Sequence, residues 1–378
     1  MKTIAAWVLG AAALAVSAAS HAGGIELVRG GNAMATIVVP DNAPAPERFA
    51  AAELQAIIEK VSGAKLSIAA KAPAGDGPLV FVGQAAAREA GDAVLAALQL
   101  DQLRDDGYSA KLAVQARPAL VLAGALPRSS LYAVYDMLET ELECGFFVDG
   151  DHLPRRSDLV LGMVNQAANP AFADRTVVVP LSVYGPKRFQ ATLWNAEDWK
   201  AYLRWMAKRK MNRLAIPFTA AGRAWGAAFD KAFPEAKAKR QETLANDGPI
   251  TARMGHGLAP EQTTAVLKEA IDYARNTLGL EVAYVFAFGE FEQALQQAMP
   301  NLKWKPAYPA TYPAVAGGSC ALSASDPACR GLQARLWKAI IETYGPAHQY
   351  VVACQAPPNA VVNPGPAENA TTMAIETL

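Results

Sequence analysis

Residues Asp198 to Trp225 read DWKAYLRWMAKRKMNRLAIPFTAAGRAW, and their reading decides the fold. Asn195 can cap a helix that starts here, with Glu197 and Asp198 in its first turn and Lys208, Arg209 and Lys210 in its last. Those charges complement the helix dipole. Trp199, Tyr202, Leu203 and Met206 recur at helical spacing and form the expected buried stripe. RLAIPF then reads as a short buried strand, and a loop leaves its C-terminal end. In a parallel sheet flanked by helices, ligands bind at such loops.

The same strand–helix alternation extends on both sides. TVVVPLSV is an earlier strand; a later helix carries Val266, Ala270 and Tyr273 and ends at Gly279; EVAYVFAF is a third strand. A helix with Leu336, Trp337, Ile340, Ile341 and Tyr344 stops at Gly345-Pro346, and HQYVVAC is a fourth strand. Long loops are expected up to about residue 259 and after the third strand, and a last helix from near Pro366. The alternation predicts parallel strands joined by right-handed crossovers. Four units are half of a (β/α)8 barrel, which typically takes ~250 residues. A half barrel exposes a sheet edge and an apolar face. The expectation is therefore a barrel domain truncated after about four strand–helix units, or a sheet covered by another chain, with truncation favoured.

Upstream, GIELVRGGNAMATIVVP gives a strand pair around Gly30-Gly31. A helix follows from Pro46, with Leu54, Ile57, Ile58 and Val61 on one face and Gly63 as its stop. LSIAA, LVFVG, DDGYSAKLAV and ALVLAGA are strands; Leu131, Val134, Tyr135, Leu138 and Leu142 mark a second helix, and GFFVDGDHLP closes the region. The expected organisation is a signal peptide over 1–22, a small α/β sandwich domain over 23–165, a link in NQAANPAF, and the barrel domain over 170–378.

Lys plus Arg and Asp plus Glu are both 35 in 378 residues, so the net charge is zero and no basic stripe points to nucleic acid. Lys2, the run IAAWVLGAAALAVSAA and Ser20-His21-Ala22 make a secretory signal cleaved after Ala22. A membrane anchor needs about 20 apolar residues. The mature chain is thus expected to be exported, periplasmic or extracellular, with no membrane association after cleavage. Export permits disulfides; Cys320 and Cys329 bracket the loop-rich GGSCALSASDPACRG and are a candidate pair, bonded or free. The four His are scattered, so neither a metal site nor a cofactor is expected.

AAELQAIIEKVSGAKLSI, DDGYSAKL and LAGALPRSSLYAVYDMLETELECGFF resemble the N-terminal domain that precedes the barrels of hexosaminidases, alpha-glucuronidases and alpha-N-acetylglucosaminidases. WKAYLRWMAKRKMNRLAIPFTAAGRAW, ARMGHGLAP, YVFAFGEFEQALQQAMPN and SASDPACRGLQARLWKAIIETYGPAHQY resemble, in order, the opening half of an alpha-N-acetylglucosaminidase barrel. The resemblance implies a glycoside hydrolase acting on amino-sugar glycans or small glycosides. It also marks departures. The Gly-Gln-Glu type motif of that family is replaced here by Thr219 to Ala224, with only Trp225 kept. The Asn-Glu pair expected after the fourth strand, which holds the family's general acid, is replaced by Val351 to Pro357, without a carboxylate. The family's second carboxylate lies later than Leu378.

Glycoside hydrolysis needs two carboxylates about the scissile bond. Glu290 and Glu292, just past the third strand, are the catalytic candidates; alternatively they are N-terminal charge for the helix through Leu295. Trp225 could stack on a sugar face or belong to the core. Arg253 and His256 in ARMGHGL are substrate-binding candidates: His256 could hydrogen-bond a hydroxyl or be a solvated or capping residue, and Arg253 and Gly255 match the family's Arg-Met-Gly. Gln355 could bind substrate polar groups but cannot be an acid. Arg175 matches a Pro-x-Phe-x-x-Arg element of such junctions, and an ion pair accounts for it equally well. Two functions follow: an exported glycoside hydrolase, inactive if its acid is missing, or a non-catalytic carbohydrate-binding barrel.

Overall fold

The structure, a computed structural model, describes residues 24–114, 117–179, 191, 194–218, 225–246, 260–306, 319–323 and 325–353. Its N-terminal part contains β1 (Ile25–Arg29), β2 (Asn32–Ala33), β3 (Thr36–Val38), α1 (Ala45–Ser62), β4 (Ser67–Ala69) and β5 (Leu79–Val82). Next come α2 (Gln84–Glu89), α3 (Asp92–Ala97), β6 (Tyr108–Val114), β7 (Pro118–Gly124), α4 (Pro127–Leu142), β8 (Gly145–Phe147), β9 (Gly150–His152), β10 (Leu159–Leu161) and β11 (Asn165–Ala168). Six of the strands form one sheet in the order β11-β6-β7-β5-β3-β4. Within it β3, β4, β5 and β7 run parallel, and β6 alone is reversed, antiparallel to both of its neighbours β7 and β11.

Strand alternation buries both faces of this sheet. Ile37, Val80, Val82, Leu120 and Leu122 face α1 and α4. Val38, Leu79, Phe81 and Val121 face the small layer that includes Ala86, Ala87 and Val94 of α2 and α3. Gly63 ends α1 at φ 79°, a left-handed conformation that costs glycine least. Gly30 and Gly31 turn β1 into β2 at positive φ, where the sequence expects the strand pair. The stretch Asn165–Ala168, read as part of a link, is β11 and pairs with β6, because its extended backbone completes the sheet edge.

The C-terminal part contains β12 (Thr176–Val178), α5 (Ala196–Lys208), β13 (Arg213–Phe218), α6 (Ala227–Ala232), α7 (Lys237–Asn246), α8 (Pro260–Asp272), β14 (Glu281–Ala287), β15 (Glu290–Glu292) and α9 (Gln293–Ala298). It continues with β16 (Lys305–Pro306), β17 (Ser319–Ala321), α10 (Pro327–Tyr344) and β18 (Gln349–Ala353). The four expected strands pair in the order β12-β13-β14-β18, all parallel. Asn195 and Asp198 make a reciprocal capping box at α5, with N–H to side-chain oxygen distances of 2.9 and 3.0 Å. Phe218, Tyr284 and Phe286 pack against α10, where Phe286 stacks on Trp337 at 4.9 Å.

Two stretches expected as loops carry structure. Residues after β13 form α6 and α7, and the stretch after β14 forms an antiparallel sheet in the order β15-β17-β16. Its strands are two or three residues long and pair across the chain, so no local periodicity reveals them. The signal segment and the helix expected from Pro366 lie outside the described residues. Among the described residues, no helix is long and apolar enough to cross a membrane.

Candidate functional site

The C-terminal ends of the parallel strands lie at Val178, Phe218, Ala287 and Ala353. Beyond β14 the chain turns at Gly289 into β15. Gly289 has φ 77°, and a Cβ there would sit 3.0 Å from the Leu322 carbonyl, so glycine suits the turn on both counts. Its N–H donates to Gln333 Oε1 at 3.0 Å, and its carbonyl accepts from Leu322 N–H at 3.0 Å. Gln333, fully buried on α10, thereby fixes the exit from the strand.

Glu290, Phe291 and Glu292 pair antiparallel with Ala321, Cys320 and Ser319. The strand period of two places both carboxylates on one face of β15 and Phe291 on the other. Phe291 packs between Phe233 and Trp304, with ring centroids 6.3 and 5.9 Å away. Glu290 is 5% exposed at the strand end.

Glu292 has a different environment. One carboxylate oxygen accepts from Trp225 Nε1, and the other accepts from Arg240 Nε at 2.7 Å. Arg240 is 2% exposed, donates to Asp230 and the Gly226 carbonyl at 3.3 Å, and lies 5.2 Å over the Phe229 ring. Burial disfavours the guanidinium charge, but Glu292 and Asp230 outweigh it and raise the Arg240 pKa. Burial raises the Asp230 pKa, against the opposing pull of Arg240. Glu292 is thus the counter-ion of a buried arginine, a role that explains its position without catalysis.

Trp225 is 1% exposed, 5.8 Å from the Phe229 ring, and its carbonyl accepts from Tyr344 Oη–H at 3.2 Å. The sugar-stacking alternative for Trp225 gives way to the core, because neighbouring side chains enclose its ring. Cys320 and Cys329 are both free thiols, correcting the candidate bridge. Cys320 Sγ faces the Phe291 and Glu292 carbonyls at 3.6 and 3.5 Å, whereas Cys329 Sγ faces the Leu322 carbonyl. Burial pushes both thiols up to about 12. Arg253, His256 and Gln355 lie outside the described residues. Among the described residues, no group of three or more His, Cys, Asp or Glu is arranged to hold a metal ion.

The structure therefore brings Glu290, Glu292 and Trp225 to one end of the sheet, with Glu292 held by Arg240 and Trp225 and the Trp225 ring enclosed in the core. Sequence reasoning missed Arg240, Asp230 and Gln333. Arg240 sits in the charged run KAKRQE, where nothing distinguishes it from a solvated surface residue.

Residues 27–137 are similar to the family described as Glycosyl hydrolase family 67 N-terminus. Comparison with curated proteins finds no match. Among solved structures, the chain is similar to a mutant beta-hexosaminidase of Streptomyces plicatus in complex with product GlcNAc. Identity is 14% and the TM-score 0.50, over 87% of this chain and 55% of that one. It is also similar to the GH20 exo beta-N-acetylglucosaminidase of Vibrio harveyi in complex with N-acetylglucosamine, at 12% identity and a TM-score of 0.50. That match covers 93% of this chain and 47% of the other. A family 89 glycoside hydrolase from Clostridium perfringens matches at 8% identity and a TM-score of 0.49, over 81% of this chain and 32% of that one. The chain has a glycoside hydrolase-like fold. It spans about half the length of the first two solved structures.

Proposed function

We propose that this protein is an exported glycoside hydrolase, alpha-N-acetylglucosaminidase-like, that takes an amino-sugar glycan at the C-terminal end of its parallel strands. The signal-like residues 1–22 support export, and the change from the mixed six-stranded sheet to the four-stranded parallel sheet supports a sandwich domain preceding a barrel. The observation that carries the reading is the set of parallel strands behind a family 67-like N-terminal region, in a chain similar in fold to the beta-hexosaminidase and exo beta-N-acetylglucosaminidase structures. Catalysis from this chain's described loops is proposed for Glu290, which follows directly on the turn at the C-terminal end of β14. Arg253, His256 and Gln355 are proposed to bind substrate polar groups. Hydrolysis of nitrophenyl alpha-N-acetylglucosaminide, abolished in Glu290→Gln, is the expected result; undiminished turnover in that variant removes Glu290 from the mechanism.

A second reading, a non-catalytic glycan-binding barrel, is favoured by the engagement of Glu292 and by the lack of a carboxylate from Val351 to Pro357. Calorimetry separates the two: glycan binding without hydrolysis selects the second, and neither binding nor hydrolysis rejects both. N-terminal sequencing of the secreted chain tests cleavage after Ala22.

A further inference from the structure

α5 has two working faces. Trp199, Leu203, Met206 and Ala207 are buried in the core. Asp198, Ala201, Tyr202, Arg204, Trp205 and Lys208 instead line a cleft of about 620 Å³ between α5, α1 and the β8–β9 hairpin. That volume falls within the ~300–1,000 Å³ of small-molecule sites. Tyr202, read from sequence as part of the core stripe, is half-buried and borders this cleft.

The cleft has an aromatic floor. Trp194, buried just before the α5 cap, and Tyr202 and Trp205 on α5 follow one another, with ring centroids 4.8 and 5.3 Å apart and planes tilted by 45° and 42°. Phe147, at the hairpin, is 60% exposed and forms part of the opposite wall. An ion pair braces two of the walls: Lys208 Nζ on α5 lies 2.6 Å from Asp151 on the hairpin. Glu53 on α1 is fixed by accepting the Tyr135 hydroxyl at 2.8 Å. The groove is therefore formed before any ligand arrives.

We infer that this cleft is a second glycan-binding site, one that takes a neutral oligosaccharide outside the parallel-strand end. Sugar rings present a C–H face, which aromatic side chains can cover, and a rim of hydroxyls that both donate and accept. The rim here supplies both kinds of partner, carboxylates on Glu53, Asp149 and Asp151 and cationic donors on Lys60 and Arg204. An apolar ligand would leave those charges desolvated, and a polyanion would meet the carboxylates. The site stands on its own geometry and does not depend on Glu290 or on hydrolysis.

Calorimetric titration of the full chain with tetrasaccharides of N-acetylglucosamine and of glucose tests the inference. Trp205→Ala and Phe147→Ser are each expected to weaken binding about tenfold, the scale of one aromatic contact. Turnover of a small nitrophenyl glycoside should be unchanged in both. Phe147→Ser keeps the test sound if Trp205→Ala fails to fold, because Phe147 is mostly solvent-exposed. The inference is overturned if wild-type protein binds neither tetrasaccharide, if both variants bind as wild type does, or if only a sulfated tetrasaccharide binds. Groove binding without any hydrolysis supports the inference and counts against the glycosidase reading alone.

Discussion

Asn212 Nδ2 donates to Asp106 Oδ2 at 2.8 Å, joining the first sheet region to the start of the parallel sheet. Asp106 is 1% exposed and also accepts from Arg128 and, at 2.9 Å, from Arg175. Arg128 reaches on to Glu281 at 3.3 Å, and Arg175 N–H donates to Asn212 Oδ1 at 2.8 Å. The junction arginine is thus one corner of an ion-pair network that registers β12, β13 and β14 against the first region.

Asp106→Asn is therefore expected to destabilise the protein by about 3 kcal/mol, because it leaves two arginines facing an uncharged buried group. Burial alone would raise the Asp106 pKa, but Arg128, Asn212 and Arg175 outweigh it and hold the carboxyl below its usual value of 3.8. A depressed carboxylate contributes its full stability above the unfolded value and loses it as pH falls through the folded one. Wild type should accordingly lose stability below about pH 4, more steeply than Asp106→Asn. Urea titrations at several pH values check this, and parallel curves for the two proteins would contradict it.

Glu47 behaves in the opposite sense. It is buried, accepts from Gln84 N–H at 3.1 Å and from Ser130 Oγ–H at 3.4 Å, and lies against Gly83. Burial raises its pKa above 4.5, against the hydrogen bonds from Gln84 and Ser130. Its protonated form suits the fold, so that contribution is present below pH 4.5 and fades as pH rises through the folded pKa. Glu47→Gln, neutral throughout, should gain in Tm relative to wild type between pH 4.5 and 7. Gly83→Ala should cost about 1–3 kcal/mol, since the residue has φ 92° and its Cβ would meet Glu47 Cδ at 2.3 Å. Differential scanning across pH reads both effects.

Glu290 and Glu292 separate by what each loss removes. Glu292→Gln takes the main counter-charge from a buried arginine and is expected to cost about 3 kcal/mol of stability. Glu290→Gln is expected to act first on turnover. Denaturation midpoints measured beside nitrophenyl glycoside hydrolysis discriminate them; a reversed pattern, with Glu292→Gln stable and inactive, would make Glu292 the acid.

The alternation around Asp198 to Phe218 was legible because helix caps, dipole-matched charges and apolar strands are local signals, and β12, β13, β14 and β18 pair in parallel as they imply. β15 to β17 were not legible, because strands of two or three residues carry no periodicity. Nor was the role of Glu292, whose partner Arg240 lies 52 residues away in a run of ordinary surface charge. Spacing at i, i+2 left open whether the two acids share a face; only the pairing of β15 with β17 makes that spacing a strand.

Cys320 and Cys329 supply the last prediction. Both are buried free thiols, one on β17 and one in the first turn of α10, and burial pushes each up to about 12. The thiolate is the reactive form, so both should resist alkylation in the native protein at neutral pH. Unfolding should make them react at the rate of an ordinary cysteine. Intact mass should be the same before and after reduction, and native mapping with iodoacetamide should leave both positions unlabelled. A mass increase on reduction, with these two cysteines becoming reactive together, would show a bridge and require β17 and the start of α10 to shift toward each other.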